Sequence, residues 1–481
     1  MANFTAGTSF SDGVTNDVTA AKLNALVADA VPTSSLALAS TTGTISNFTA
    51  STANITLGTI PTLTAGTTTS TAANITSGTI GNLSTTLAGD FTISQGTGTL
   101  GTTGATAATY GTTSDVPRIT VDAKGRITAA STVTNPVGFR NRIINGDMRI
   151  DQRNAGASVT VSAGSYFYTL DRFFVENSTD GALTTQRSTI APSGYSNSIK
   201  ITTSTVDASL ASGQLAYILQ KIEGFNISDL GWGTASAKTV TLSFWVRSSL
   251  TGTFGGSFRN GFQGSAWRSN PFSYSISLAD TWEQKTITVV GDTSGTWGTD
   301  NGVGIEIFFG IGAGSLYNGT AGVWSSNNYT SVTGAVSVIG TLNATFYITG
   351  VQLEAGSTAT DFERRPYGTE LALCQRYYWK TSSGNAYARQ ANGFIESATK
   401  AEFMMRHPVQ MRSTPTVVNS SGSFLAFHSG GNSVLTVNSL VGLTDQVSDL
   451  YFDGTGMTAS AGAILISNNN SNAYIGFSAE L

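Results

Sequence analysis

The chain has 481 residues, of which 11% are charged, and it carries a net charge of −4, 54 glycines and one cysteine. That balance, with no Lys/Arg run, excludes a nucleic-acid backbone as partner, and a single cysteine, Cys374, excludes an intrachain disulfide framework. Low charge with abundant Thr, Ser, Val and Phe points to an all-β protein kept soluble by hydroxyls and amides, and no apolar run approaches the ~20 residues of a membrane-spanning helix.

The opening "MANFTAGTSF" has neither the basic start nor the apolar core of a leader, so folding in a cytoplasm is expected. "TNDVTAAKLNALVADAVP" then predicts a short helix. Asn16 or Asp17 caps it, Leu23, Leu26, Val27 and Ala30 share a face, and Pro32 stops it. Residues 1–31 are assigned to attachment: so short a helix is marginal alone, and its apolar face is expected to meet symmetry mates or a docking partner.

Residues 32–113 form the least charged part of the chain, with no charged side chain from Ala30 to Gly89. Within 41–110 there are 24 Thr, 10 Gly and 6 Ser, a composition that also suits a flexible linker. An internal repeat favours structure instead. "GTISNFTASTANIT", "GTIPTLTAGTTTSTAANIT" and "GTIGNLSTTLAGDFTIS" each join a Gly turn to β-branched residues with sparse Ile and Leu. One chain has too few large side chains here to build a core, and its strand edges would be bare. Copies wound about a common axis solve both problems, so a thin trimeric β-structured shaft is expected.

Next, "VPRITVDAKGRITAAS" places Arg-Ile-Thr on both sides of a Gly-closed turn and predicts a junction hairpin over 114–136. "GFRNRIINGDMRIDQRN" follows with four arginines and two aspartates between Arg140 and Arg153; its Asn145-Gly146 pair predicts a second hairpin. The return of charge marks independent domains. In "TVTLSFWVRSS", Val240, Leu242, Phe244 and Val246 alternate with Thr241, Ser243, Trp245 and Arg247, giving one buried and one partly wet face. Similar stretches up to residue 365 predict a jelly-roll β-sandwich over 137–365. The pattern restarts after Pro366, predicting a smaller C-terminal β-sandwich over 366–481, joined through Gly368 to Arg376.

These motifs resemble the fibre proteins of tailed bacteriophages. "VPRITVDAKGRITAAS" is similar to the hairpin at their shaft-to-head junction. "NRIINGDMRIDQRN", "YTLDRFFV", "TVTLSFWVRSS" and "FYITGVQLEAGSTATDFERRPYGTELALCQRYY" resemble segments of their jelly-roll heads. The resemblance covers residues 115 to about 380; the repeat resembles fibre shafts by composition alone. It implies a homotrimeric virion appendage on tail, neck or capsid, joined at its N-terminus to a tail, baseplate or neck protein. It also implies host attachment, through a cell-surface polysaccharide. A neck or head fibre with an accessory adsorption or sensing role is the alternative within the family.

No G-x-S-x-G elbow, P-loop or H-E-x-x-H motif is present, and His407 and His428 have no ligand pattern around them. No catalytic residue, metal or cofactor is assigned. A polysaccharide depolymerase would need paired carboxylates that meet only in space; Asp361 and Glu363 more simply neutralise Arg364 and Arg365. A surface adhesin is disfavoured by the lack of an export signal. Glycan binding needs an aromatic plane beside amide and carboxylate groups. Trp267, Trp297 and Trp324 with Tyr329 lie in Gly/Ser/Asn-rich loops, and in the terminal domain His428, Asn432, Asn469 and Tyr474 mark polar loop tips. The competing reading for each tryptophan is that it closes an end of the sandwich.

Overall fold

A computed structural model describes residues 85–86, 91–94, 97–111, 115–134, 140–381, 384–419, 424–441 and 444–481. The expected N-terminal helix and most of the repeat lie outside the described residues. The chain divides into two units, Met1–Gly101 and Thr102–Leu481. In the first, Thr85–Thr86, Phe91–Ser94 and Thr97–Leu100 make a three-stranded antiparallel sheet.

In the second unit, Asp115–Val121 and Ile127–Thr134 pair as an antiparallel hairpin. Its turn is tied by Asp122, whose Oδ1 accepts from the Lys124 and Arg126 amides at 2.8 and 3.0 Å. The Arg126 guanidinium adds a bond to Oδ2 at 2.9 Å, and the Arg126 contacts hold the carboxyl down to about 2.

Two six-stranded antiparallel sheets form the β-sandwich. The first runs Glu283–Val289, Val240–Ser248, Thr345–Ala355, Ser198–Thr205, Ala182–Ser188, Val159–Val161. The second runs Ser269–Ile276, Gly252–Arg259, Val303–Ala313, Leu215–Glu223, Phe173–Asn177, Ser165–Leu170. Alternation places Val240, Leu242, Phe244 and Val246 opposite Phe254, Phe258, Ile305, Ile307 and Phe309, and all are fully buried in one core. The other face of Val240–Ser248 is drier than alternation predicts, with Thr241 and Ser243 also buried.

The second expected hairpin is instead a buried turn. Asn145 takes φ +60° and spends its side chain inside the fold. Its Oδ1 accepts from the Ile150 amide at 2.9 Å, and its Nδ2 donates to the Ile150 and Asp171 carbonyls at 2.8 and 3.0 Å. Gly146 lies against the strand Thr345–Ala355; a Cβ there would fall 2.1 Å from the Val351 carbonyl oxygen. The turn is satisfied by tertiary contacts, among them the Val351 amide donating to the Gly146 carbonyl at 2.9 Å, and not by a hairpin of its own flanks.

The connection after Pro366 is the α-helix Tyr367–Gln375, which buries Cys374 and, with Tyr377 after it, packs on Ile144 and Ile150. Beyond it the expected second sandwich is a closed barrel. Its strands run Arg389–Ser397, Lys400–Arg406, Val447–Asp453, Gly431–Val441, Phe424–His428, Gly462–Ser467, and the last pairs again with the first. Closure pairs both edges that a six-stranded open sheet would leave bare. Phe403, Phe424, Leu435, Phe452 and Leu465 fill it. A three-stranded sheet of Tyr378–Lys380, Ile475–Ser478 and Thr416–Asn419 stands beside it.

Charged groups join this part to the sandwich. Arg172, 1% exposed, lies over the Tyr377 ring at 3.6 Å and pairs with Glu480. Arg153 reaches the same carboxylate at 2.8 Å. Glu223 accepts from the Tyr377 hydroxyl at 2.6 Å and from Arg376 Nε at 2.9 Å. These bonds satisfy charges that burial would otherwise penalise heavily.

Candidate saccharide-binding site

The loops carrying Trp267, Trp297, Trp324 and Tyr329 converge at one end of the sandwich. Arg268 grips Asp292 with two bonds of 2.7 Å, Ser269 bridges to Ser325, and the Trp324 indole donates to the Val290 carbonyl at 2.8 Å. Proximity in space is therefore real for all four, but burial sets Trp297 apart from the other three.

Trp297 is a core residue, 6% exposed. Its ring meets Trp232 at 4.7 Å and Trp324 at 5.5 Å, and Trp232 meets Trp324 at 5.4 Å, all edge to face. Each indole N–H is bonded to a backbone carbonyl, of Ser294, Lys238 and Val290 in turn. Three rings with satisfied donors plug the end of the core, so the surface role expected of Trp297 is corrected. Trp324 is half-buried in the same plug.

Trp267 stands outside it. It packs on Phe262 with centroids 4.6 Å apart, and Phe262 is 47% exposed at φ +61°. A bulky side chain in the left-handed region costs energy that the surrounding loop must offset. Beneath the pair the Arg259 guanidinium lies 4.5 Å from the Trp267 ring centre and 4.3 Å from that of Phe308. Arg259 Nε donates to Glu306 Oε2 at 2.6 Å, and its Nη1 donates to Asn328. An aromatic shelf thus sits beside the Asn328 amide, with the Glu306 carboxylate buried below it and bonded to Arg259. A pyranose can lay its C–H face on such a shelf and have its hydroxyls read from the side.

The shelf continues onto the outer face of the second sheet. Register aligns Lys221, Glu306, Arg259 and Ser269 in one row, and Tyr168, Phe174, Leu219, Phe308 and Ser257 in the next. Burial pulls the Lys221 ammonium below the usual lysine range, against the opposing pull of Glu306. Tyr329 borders a neighbouring shallow depression with Asn318, Thr320, Val323 and Ser325. Its ring rests against Gly319, where a Cβ would lie 2.4 Å away, and its hydroxyl accepts from Asn327 at 2.9 Å.

The residues singled out in the terminal domain do not form one site. His428 begins the pairing with Ala463, and Phe424 ends it with Ser467. The turn holding Asn432 and the loop holding Asn469 and Tyr474 therefore flank opposite ends of the strand pair, roughly 13 Å apart along it. His428 is 5% exposed; its Nδ1 accepts from the Gly430 amide at 3.1 Å and its Nε2 meets Ser433 Oγ at 3.0 Å. It is a satisfied turn residue and not an exposed reader. Asn432 and Asn469 are exposed, and Tyr474 lies under Lys380 at 4.6 Å.

Sequence reasoning missed Phe262, Arg259, Glu306 and Asn328. One signal was present in "LAYILQKIE", where Leu215, Tyr217 and Leu219 make the outward face as apolar as the inward one.

No known protein family matches the chain, and no curated protein matches it. Among solved structures, the enzymatically active domain of tailspike protein 4 of bacteriophage CBA120 matches over 47% of this chain and 23% of its own length. The identity is 14% and the TM-score 0.25, so the match spans about a quarter of that protein. A CBM22-1 xylan-binding domain from Paenibacillus barcinonensis matches 43% of this chain and 99% of its own, at 8% identity and TM-score 0.23. A family 11 carbohydrate-binding module from Clostridium thermocellum matches 43% and 99%, at 12% identity and TM-score 0.22. Scores this low carry no argument about the site, whose reading rests on its own residues.

Proposed function

We propose that this chain is a homotrimeric phage fibre protein that binds a host-surface glycan through the loop end of its sandwich and does not cleave it. The observation that carries the glycan reading is the exposed Phe262 packed on the half-buried Trp267, held over Arg259 with Glu306 and Asn328 beside it. The junction and jelly-roll motifs support the fibre reading, with residues 1–31 as the virion joint. Three weak sites on one trimer would act at high effective concentration against a cell surface.

The test is binding of full-length protein to purified host polysaccharide and to host cells. Trp267→Ala and Phe262→Ala each weaken binding by about 1–3 kcal/mol per site, the range for a lost aromatic contact, with little change in melting. Unchanged binding by both variants removes the site from this loop. Release of reducing ends by the wild-type protein replaces the binding reading with a depolymerase.

A further inference from the structure

The outer face of the first sheet, on the opposite side of the sandwich, carries a second arrangement of cations and rings. Arg247 pairs in register with Tyr347, Tyr347 with Lys200, and Lys200 with Gln186. The Lys200 ammonium lies 5.7 Å from the Tyr347 ring centre and the Arg247 guanidinium 5.3 Å from it. Trp282 meets the same ring edge to face at 6.1 Å. Trp245 stands one step along Val240–Ser248 from Arg247 on the same face, opposite Thr349. Both tryptophans are half-buried.

The charges here are not balanced from within. Among the described residues Lys200 has no carboxylate or hydrogen-bond partner. Arg247 has one, Asp280 at 3.1 Å, whose side chain is 57% exposed, and Arg247 Nε is buried without a partner. An ion pair so exposed contributes little and is readily exchanged. The carboxylate of Glu283, on the adjoining strand opposite Val246, is engaged with Lys285 at 2.6 Å. In a chain with only 11% charged residues, two cations on one ring, about two strand spacings or ~10 Å apart, form a local positive site with an aromatic floor.

We propose that this face binds an acidic saccharide, with uronate carboxylates held by Lys200 and Arg247 and sugar faces resting on Trp245 and Trp282. Charge-assisted bonds to carboxylates supply selectivity over neutral glycans. The site is separate from the Phe262–Trp267 shelf, and either can fail without the other.

Titration calorimetry of the full-length protein with polygalacturonate oligomers, and with neutral dextran oligomers as reference, tests it. The acidic oligomers bind, the affinity falls as salt is raised, and dextran does not compete. Lys200→Gln weakens the acidic ligand several-fold, and Lys200→Gln with Arg247→Gln weakens it at least tenfold. Trp267→Ala leaves it unchanged. Lys200→Gln removes a side chain without a polar partner, so its result stands even where the double variant folds poorly. No binding of the acidic oligomers, equal binding of dextran, or full affinity in Lys200→Gln overturns the proposal. Loss of acidic binding in Trp267→Ala alone assigns that ligand to the loop shelf and overturns it equally.

Discussion

The indole of Trp297 stands edge-on to that of Trp232, 4.7 Å away, with both rings buried at the end of the sandwich core. Trp267, thirty residues earlier in a loop of the same composition, lies outside that core. The two residues should respond oppositely to truncation. Trp297→Ala leaves a cavity beside the two remaining rings, Trp232 and Trp324, and costs about 3–5 kcal/mol of stability, read by denaturant unfolding. Its glycan affinity per folded molecule is expected to stay at the wild-type value. A Trp297→Ala protein that melts normally but loses binding contradicts this placement.

Glu480 is the shared partner of Arg153 and Arg172, and Arg172 is almost entirely buried. Removing the carboxylate strands a cation between sandwich and barrel. Glu480→Ala is therefore expected to cost about 3–5 kcal/mol, and calorimetry should show the barrel melting apart from the sandwich. Glu480→Gln keeps the hydrogen-bond acceptor and loses less. An unchanged single transition in both variants shows that the joint does not depend on this pair.

Acid should loosen the barrel through His407. Its Nδ1 accepts from the Trp379 indole at 2.9 Å, its Nε2 meets Ser448 Oγ at 3.1 Å, and burial holds its pKa below the ordinary 6.5. A base depressed in the fold contributes stability that is present above 6.5 and lost as pH falls through the folded value. Protonation sets a second N–H against the Trp379 donor. Asp171 acts in the other direction: burial pushes its carboxyl up to about 6, so its contribution is present below 3.8 and lost as pH rises through 6. Barrel melting should thus fall as pH drops below 6.5. His407→Asn, which retains an acceptor for Trp379, should flatten that fall. A barrel transition unmoved across this range in the wild type contradicts the assignment.

The core face was readable because local alternation encodes it: Val240, Leu242, Phe244 and Val246 are all fully buried. Which side of a loop a ring turns to is not encoded locally. "GTWGTDN" and "GSAWRSN" look alike, yet Trp297 faces the plug and Trp267 the solvent side. Arg259 and Glu306 are 47 residues apart and meet only through cross-strand register. Asn145-Gly146 has hairpin chemistry, but its side-chain bonds go to Ile150 and Asp171 and no strand pair forms. His428 looked exposed because Ser429, Gly430 and Gly431 follow it, yet the turn they build bonds its ring through the Gly430 amide. Barrel closure depends on Gly462–Ser467 pairing with two strands at once, which no segment shows alone.

The hairpin of Asp115–Val121 and Ile127–Thr134 carries the last expectation, that the full-length protein is an obligate trimer. Val116, Ile119, Val121, Ile127 and Val133 are each 38% to 54% exposed. Pro117, Ile119 and Val121 share one face by alternation, and Ile119 lies opposite Ala130. An isolated two-stranded ribbon is marginal in water, and one showing this much apolar surface needs cover. Copies of the same ribbon about a three-fold axis would cover it, continuing the arrangement expected of the uncharged repeat before it. Native mass measurement should give three chains, resistant to mild detergent because wound chains must separate together to unfold. Ile119→Asp should lower the temperature at which the trimer dissociates while leaving the sandwich transition in place. A folded, stable monomer of the full-length chain at micromolar concentration would end the trimer reading. Dissociation unmoved by Ile119→Asp would take the hairpin out of the contact and leave the repeat as its basis.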